Sequence, residues 1–161
     1  MSLLINLRHL EKKNLLLTGE LPATSLDLDG VDELIHIQAP LRYDLEIEKF
    51  EGSILAQGSL ELTLNCECVR CLAPFSFQLA LNDWTSHLPL EGEEKVAIVN
   101  DCVDLTPQIR EDILLAFPQH PVCDAKCSGL ARVNSGRRIT GGQNRTDSDS
   151  SAWAALDKLK L

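Results

Sequence analysis

Six cysteines are spread over 161 residues, and three of them, Cys66, Cys68 and Cys71, crowd into the stretch NCECVRCLAPF. Cys68 and Cys71 form a Cys-x-x-Cys pair, the spacing at which two thiolates of one turn reach a single tetrahedral ion at about 2.3 Å. A second pair, Cys123 and Cys127 in HPVCDAKCSGL, lies far downstream. Cys68, Cys71, Cys123 and Cys127 could together hold a structural zinc ion that pins two distant segments. The gap between the pairs is longer than in a compact zinc ribbon, and the second pair has three intervening residues rather than two. Two other readings stand beside this one. The thiols could be buried or free without metal, or Cys68 and Cys71 could be a redox pair, as in a thiol-dependent enzyme or sensor. Such a pair usually opens a helix among alternating strands and helices. Disulfides are disfavoured in a reducing compartment and in a domain large enough to stand on its core. Cys66 reads as a small core residue and Cys102, with no partner nearby, as a buried one. His120, in FPQHPVC, is either a substitute ligand or a plain loop residue.

Other chemistry is sparse. The chain has no Gly-rich phosphate loop, no His-x-x-x-His and no nucleophile elbow, and His9, His36, His87 and His120 are scattered. The acidic run LDLDGVDE lacks the spacing and terminal Glu of a calcium loop and reads as an exposed acidic loop. The expectation is a protein that is not an enzyme.

Composition fixes the setting for these residues. At 44% apolar residues the chain can bury a proper core. The opening MSLLINLRHLEKK has no secretory pattern, and no apolar run reaches the roughly 20 residues of a membrane helix. A soluble, cytoplasmic protein without a membrane partner is expected. Charge is uneven. Residues 1–125 carry 8 Lys and Arg against 21 Asp and Glu, a net of −13, whereas Lys126, Arg132, Arg137, Arg138 and Arg145 give residues 126–145 a net of +5. A body this acidic repels phosphate, so a broad basic nucleic-acid face is excluded, while the short basic segment could touch RNA locally. The body suits a basic protein partner, or its charge serves only solubility.

The elements that must position the cysteines are mostly strands. In LRYDLEIEK the apolar Leu41, Tyr43, Leu45 and Ile47 alternate with charged residues, the period of a sheet with one wet face. Leu60, Leu62, Leu64, Cys66 and Cys68 continue such a face, and Phe75, Phe77, Leu79 and Leu81 resume it. Residues 59–81 therefore read as a hairpin whose connection is CVRCLAP. SLLINLR, NLLLTGEL, ELIHIQ and VAIV are shorter strand candidates. DLTPQIREDILLAFP reads as an amphipathic helix with Thr106 as N-cap and Pro107 in its first turn, Ile109, Ile113, Ala116 and Phe117 facing the core, and an end before Pro118. The fold class is α+β: an antiparallel β-meander or partly open barrel of five to seven strands covered by one main helix. Residues 1–129 form this single domain. Residues 130–149, rich in Gly, Ser, Asn and Arg, read as a flexible basic linker, and residues 150–161, with Trp153, Leu156 and Leu159 in register, as a short C-terminal helix.

Two elements together carry a resemblance. The Cys-x-Arg-Cys-Leu of Cys68, Arg70, Cys71 and Leu72 precedes an Asp-Leu, helix, Leu-Pro-x-x-Pro-x-Cys element. The latter is matched by Asp104, Leu105, Glu111, Pro118, Pro121 and Cys123, with Phe117 in place of the leucine. This pattern, over roughly residues 30–130, resembles the YceD family of large ribosomal RNA subunit accumulation proteins, and WAALDKLKL is similar to the family's usual ending. The resemblance implies a non-enzymatic bacterial factor that supports 23S rRNA accumulation and large-subunit assembly. Many members continue with Gly-Leu-Cys-x-x-Cys-Gly, whereas this chain reads GLARVNSG, with Ala131 and Asn134 at those places. A local four-cysteine knuckle is thus excluded: zinc uses the two surviving pairs across the fold, or it has been lost. On this reading the acidic sheet holds a basic ribosomal protein, and Arg132, Arg137, Arg138 and Arg145 contact 23S rRNA or its precursor.

Overall fold

The computed structural model describes residues 2–11 and 13–130. Expectations for the linker, the C-terminal helix, Ala131, Asn134 and Arg132, Arg137, Arg138 and Arg145 fall outside those residues. The described chain is built mainly from antiparallel strands with few helices, consistent with an α+β class. Its order is β1 (Leu4–Asn6), α1 (Leu7–Leu10), β2 (Leu15–Leu21), α2 (Ala23–Leu26), β3 (Ile35–His36), β4 (Leu41–Phe50), β5 (Ser53–Glu67), β6 (Pro74–Pro89), β7 (Ile98–Val99), β8 (Cys102–Asp104) and α3 (Thr106–Leu115). Two expectations need correction. There are two open sheets in place of one meander or barrel, and eight strands among the described residues in place of five to seven. Helix α3, of ten residues, is accompanied by two single-turn helices.

The larger sheet is organised by two hairpins. In the first, β4 pairs with β5 from Phe50 opposite Ser53 back to Arg42 opposite Glu61. Its two-residue turn has both Glu51 and Gly52 at positive φ, 40° and 77°, the geometry whose twist matches the flanking strands. In the second, β5 pairs with β6 from Ser53 opposite Pro89 to Glu67 opposite Pro74, which leaves residues 68–73 as the tip. β2 extends the sheet beyond β4, and β3 pairs with β5 near the tip, with Ile35 opposite Cys66.

The alternation of LRYDLEIEK appears as expected, with Leu41, Leu45 and Ile47 fully buried. The second hairpin is longer than its sequence suggests. Two steps on β5, Gly58 to Leu60, face three on β6, Leu81 to Trp84. The extra residue is a β-bulge and reverses which parity of β6 points inward. Leu79 is buried before it, and Trp84, Ser86 and Leu88 after it.

The smaller sheet runs β1-β8-β7, with Ile5 opposite Val103. Both sheets turn their apolar faces into one core, where Ile54, Leu60, Leu62 and Leu64 of β5 join Ile5, Val103, Ile109 and Ile113. Helix α3 reaches that core because Ile109 and Ile113, four residues apart, share one face. Its start differs from the expectation. Thr106 is the first helical residue, Leu105 is the N-cap without a side-chain cap bond, and Asp104 just before it accepts at Oδ1 from the Thr106 N–H at 2.9 Å. The Thr106 hydroxyl oxygen instead accepts from the N–H of Leu3 at 2.8 Å, tying α3 to the first strand. A second tie runs from Trp84 Nε1, which donates to Asp112 Oδ2 at 2.7 Å. Among the described residues no helix is long and apolar enough to cross a membrane.

Candidate metal centre

The hairpin tip is folded tightly before any ligand is considered. The N–H of Cys68 donates to the Ala73 carbonyl at 3.0 Å, and the N–H of Leu72 donates to the Cys68 carbonyl at 2.9 Å. Closing so short a loop places Leu72 at a φ of 61°, in the left-handed region. The Arg70 N–H then points back at Cys68 Sγ, 3.4 Å away. Cys66, one strand turn earlier, faces the core and is buried, as expected.

Beyond α3 the chain passes Pro118 and returns to this tip. The carbonyl of buried Pro121 accepts from the Val69 N–H at 2.9 Å. Asp124 then turns the chain, its Oδ1 accepting from Lys126 N–H at 2.7 Å and its carbonyl from Cys127 N–H at 2.9 Å. These turns bring the two cysteine pairs together. Cys68 Sγ lies 3.8 Å from Cys127 Sγ, and Cys71 Sγ lies 3.7 Å from Cys123 Sγ. All four sulfurs lie within 4.8 Å of one another. Tetrahedral thiolates at a zinc–sulfur distance of about 2.3 Å have sulfur–sulfur separations of about 3.8 Å. A disulfide needs about 2.05 Å, and all six cysteines are free thiols. The donor set and its spacing therefore fit a zinc ion. Among the described residues no other group of three or more His, Cys, Asp or Glu side chains is placed to hold an ion.

The thiols interact strongly. Cys68 is pulled down to about 6, first by the backbone N–H of Cys123, against the effect of burial, and further by the N–H groups of Cys71 and Arg70. Cys123 is pushed up to about 12, chiefly because its thiol serves Cys71 and Cys68 as a hydrogen-bond donor. Cys127 is also raised: the Gly129 N–H and the Cys123 thiol pull it down, but burial and its bonds to Cys71 and Cys68 outweigh them. One sulfur thus ionises readily and leans on protonated neighbours, an arrangement a divalent cation can exploit by displacing the protons. A lowered thiol would also serve redox chemistry, but Cys68 is fully buried, whereas reactive thiols sit in partly exposed sites. It shares its surroundings with Cys123 and Cys127 as closely as with Cys71.

The remaining candidates lie elsewhere. His120 is exposed and does not join the cluster. Cys102, expected to be buried, is half-exposed in β8, opposite Asn6 and Val99, because that strand lies in the small sheet with only one face on the core. In LDLDGVDE the carboxylates Asp27, Asp29 and Glu33 are exposed, but Leu26 and Leu28 are buried, so only the acids form an outer surface. The outward face of the large sheet is likewise acidic. Glu20, Asp44 and Glu61 are exposed there, and Glu20 is paired with Arg42 at 3.1 Å. Leu16, Asp44, Gln57, Ser59 and Asp83 line a shallow open depression of about 480 Å³ on this face. The role of Arg70 beyond its place in a motif was not legible in the sequence, because it depends on which loop faces the hairpin tip.

These features define an antiparallel-sheet protein whose longest hairpin carries half of a four-thiol cluster and whose post-helical loop carries the other half. Over residues 56–160 the chain matches the family model described as large ribosomal RNA subunit accumulation protein YceD, and it belongs to that family. The match begins within β5 and takes in both cysteine pairs. No curated protein and no solved structure matches the chain.

Proposed function

We propose that this protein is a non-enzymatic factor that supports 23S rRNA accumulation and assembly of the large ribosomal subunit by binding a basic ribosomal protein, rRNA, or both. The single observation that carries the reading is membership of a family described by large ribosomal RNA subunit accumulation. The charge split supports the mode of binding. The −13 of residues 1–125 includes the open outer face of the large sheet, suited to a basic protein, and the +5 of residues 126–145 suits phosphate. In this division Arg132, Arg137, Arg138 and Arg145 contact RNA. Cys68, Cys71, Cys123 and Cys127 hold a structural zinc ion. When bound, it cross-links the hairpin tip to the loop beyond α3 and takes no part in chemistry on a substrate. The surroundings are cytoplasmic, where thiols stay reduced and available to metal.

Deleting the gene should lower the ratio of 23S to 16S rRNA and accumulate incomplete 50S particles on sucrose gradients. A normal gradient profile in the deletion strain would sink the assembly role. Replacing Arg137 and Arg138 by Ala should weaken RNA binding and flatten its dependence on salt, and unchanged binding would reduce that segment to a linker. Zinc analysis by plasma emission should return one ion per chain from a zinc-supplemented preparation. A content well below that would remove the metal from the proposal.

A further inference from the structure

The two halves of the thiol cluster are joined by more than sulfur. Arg70 stands between Cys68 and Cys71 on the hairpin tip, and its guanidinium crosses to the other loop. There Nη1 donates to the Cys127 carbonyl at 3.2 Å and, at the edge of hydrogen-bond range, to the Ala125 carbonyl at 3.5 Å. The same residue donates its backbone N–H to Cys68 Sγ. Its carbonyl is packed against Gly129, where an added Cβ would stand 3.3 Å from that oxygen and φ is 83°. Arg70 therefore touches one ligand directly and holds the backbone on either side of Cys127.

We infer that Arg70 is a positioning residue for the metal centre: its side chain fixes the Cys123–Cys127 loop over the hairpin tip, so that the second pair of thiols is already in place when the ion arrives. The inference rests on the zinc reading above. Two physical arguments favour a role in metal affinity over general stability. The loop from Pro118 to Leu130 contains no strand or helix, and most of its side chains are exposed, so few apolar contacts hold it in place. In addition, a guanidinium offers several donors in a rigid planar fork, whereas an ammonium on a flexible stem reaches one acceptor at a time. Outer partners of metal ligands typically contribute about 10- to 100-fold in affinity, and the exposure of these bonds places Arg70 at the lower end, about tenfold.

The test compares Arg70→Met, which keeps the stem and removes the donors, and Arg70→Lys with the wild-type chain. Zinc affinity is measured by competition with a chromophoric chelator, alongside the cobalt(II) spectrum and thermal melting of the metal-free proteins. Arg70→Met should bind zinc about tenfold more weakly, with Arg70→Lys in between. The tetrahedral thiolate spectrum should persist in both, since all four ligands remain, and melting of the metal-free chains should be unchanged. If Arg70→Met binds zinc as tightly as the wild type, or if its loss of affinity is matched by an equal loss in metal-free stability, the inference is overturned while the zinc site stands. A wild-type chain that binds neither metal overturns the zinc reading and this inference with it.

Discussion

At the scale of single residues, the four sulfurs differ in what they offer. Cys68 is the buried thiol that ionises first, and Cys123 holds its proton longest. Serine at any one of positions 68, 71, 123 or 127 should take the zinc content well below one ion per chain, because three thiolates leave the tetrahedron open. Cys66→Ala should leave it unchanged, since that sulfur faces the core. In the metal-free protein a thiolate should appear in the ultraviolet spectrum with a midpoint near the Cys68 value of about 6, and Cys68→Ser should abolish that step. The sign follows from the direction of the shift. The folded value lies below the ordinary 9.0, so this thiolate stabilises the metal-free fold in full above pH 9 and the contribution is lost as pH falls through about 6. Denaturation midpoints of wild-type and Cys68→Ser chains should therefore converge on acidification.

At the scale of elements, the long hairpin depends on a glycine and a bulge at the same level. Gly58 has a φ of 150°, and a Cβ there would lie 2.0 Å from the Asp44 carbonyl oxygen on β4. Such an overlap with backbone cannot be relieved by a rotamer. Gly58→Ala should cost roughly 2–4 kcal/mol, seen as a lower urea midpoint with an unchanged slope. Helix α3 presents a conventional packing problem. Ile113 is fully buried between the helix and the sheets, and Ile113→Ala should destabilise by about 2–5 kcal/mol. An ion that binds only the folded chain should raise the midpoint of this variant and so offset part of the loss in the holo form. A holo midpoint no higher than the apo midpoint would show that the fold gains no stability from the ion.

At the scale of the whole molecule, the outer sheet face and the thiol cluster are separate assets. Charge reversal at Asp44 and Glu61, both exposed, should reduce recovery of basic ribosomal proteins in pulldowns at low salt, with the zinc content unchanged. Recovery that survives both reversals and disappears with RNase would assign the partnership to RNA instead.

The strand alternation of Leu41 to Ile47 and of Leu60 to Cys66, the apolar face of α3 and the pairing of Cys68 with Cys71 were all legible in the chain. Each depends on side-chain periods of two or near four, or on the reach of a single turn, and such local geometry is written in neighbouring residue types. The extension of β6 past Leu81 was not legible, because one bulged residue inverts its parity. Nor was the placement of Cys102, or the shift of the N-cap position from Thr106 to Leu105, because contacts with the chain from Leu3 to Asn6 decide both. Only the tertiary structure could decide that Cys71 meets Cys123 and that Arg70 reaches the Cys127 carbonyl. Those meetings depend on how α3 lies on the core and where Pro121 docks on the hairpin tip, a sum of many weak distant contacts that no local pattern records.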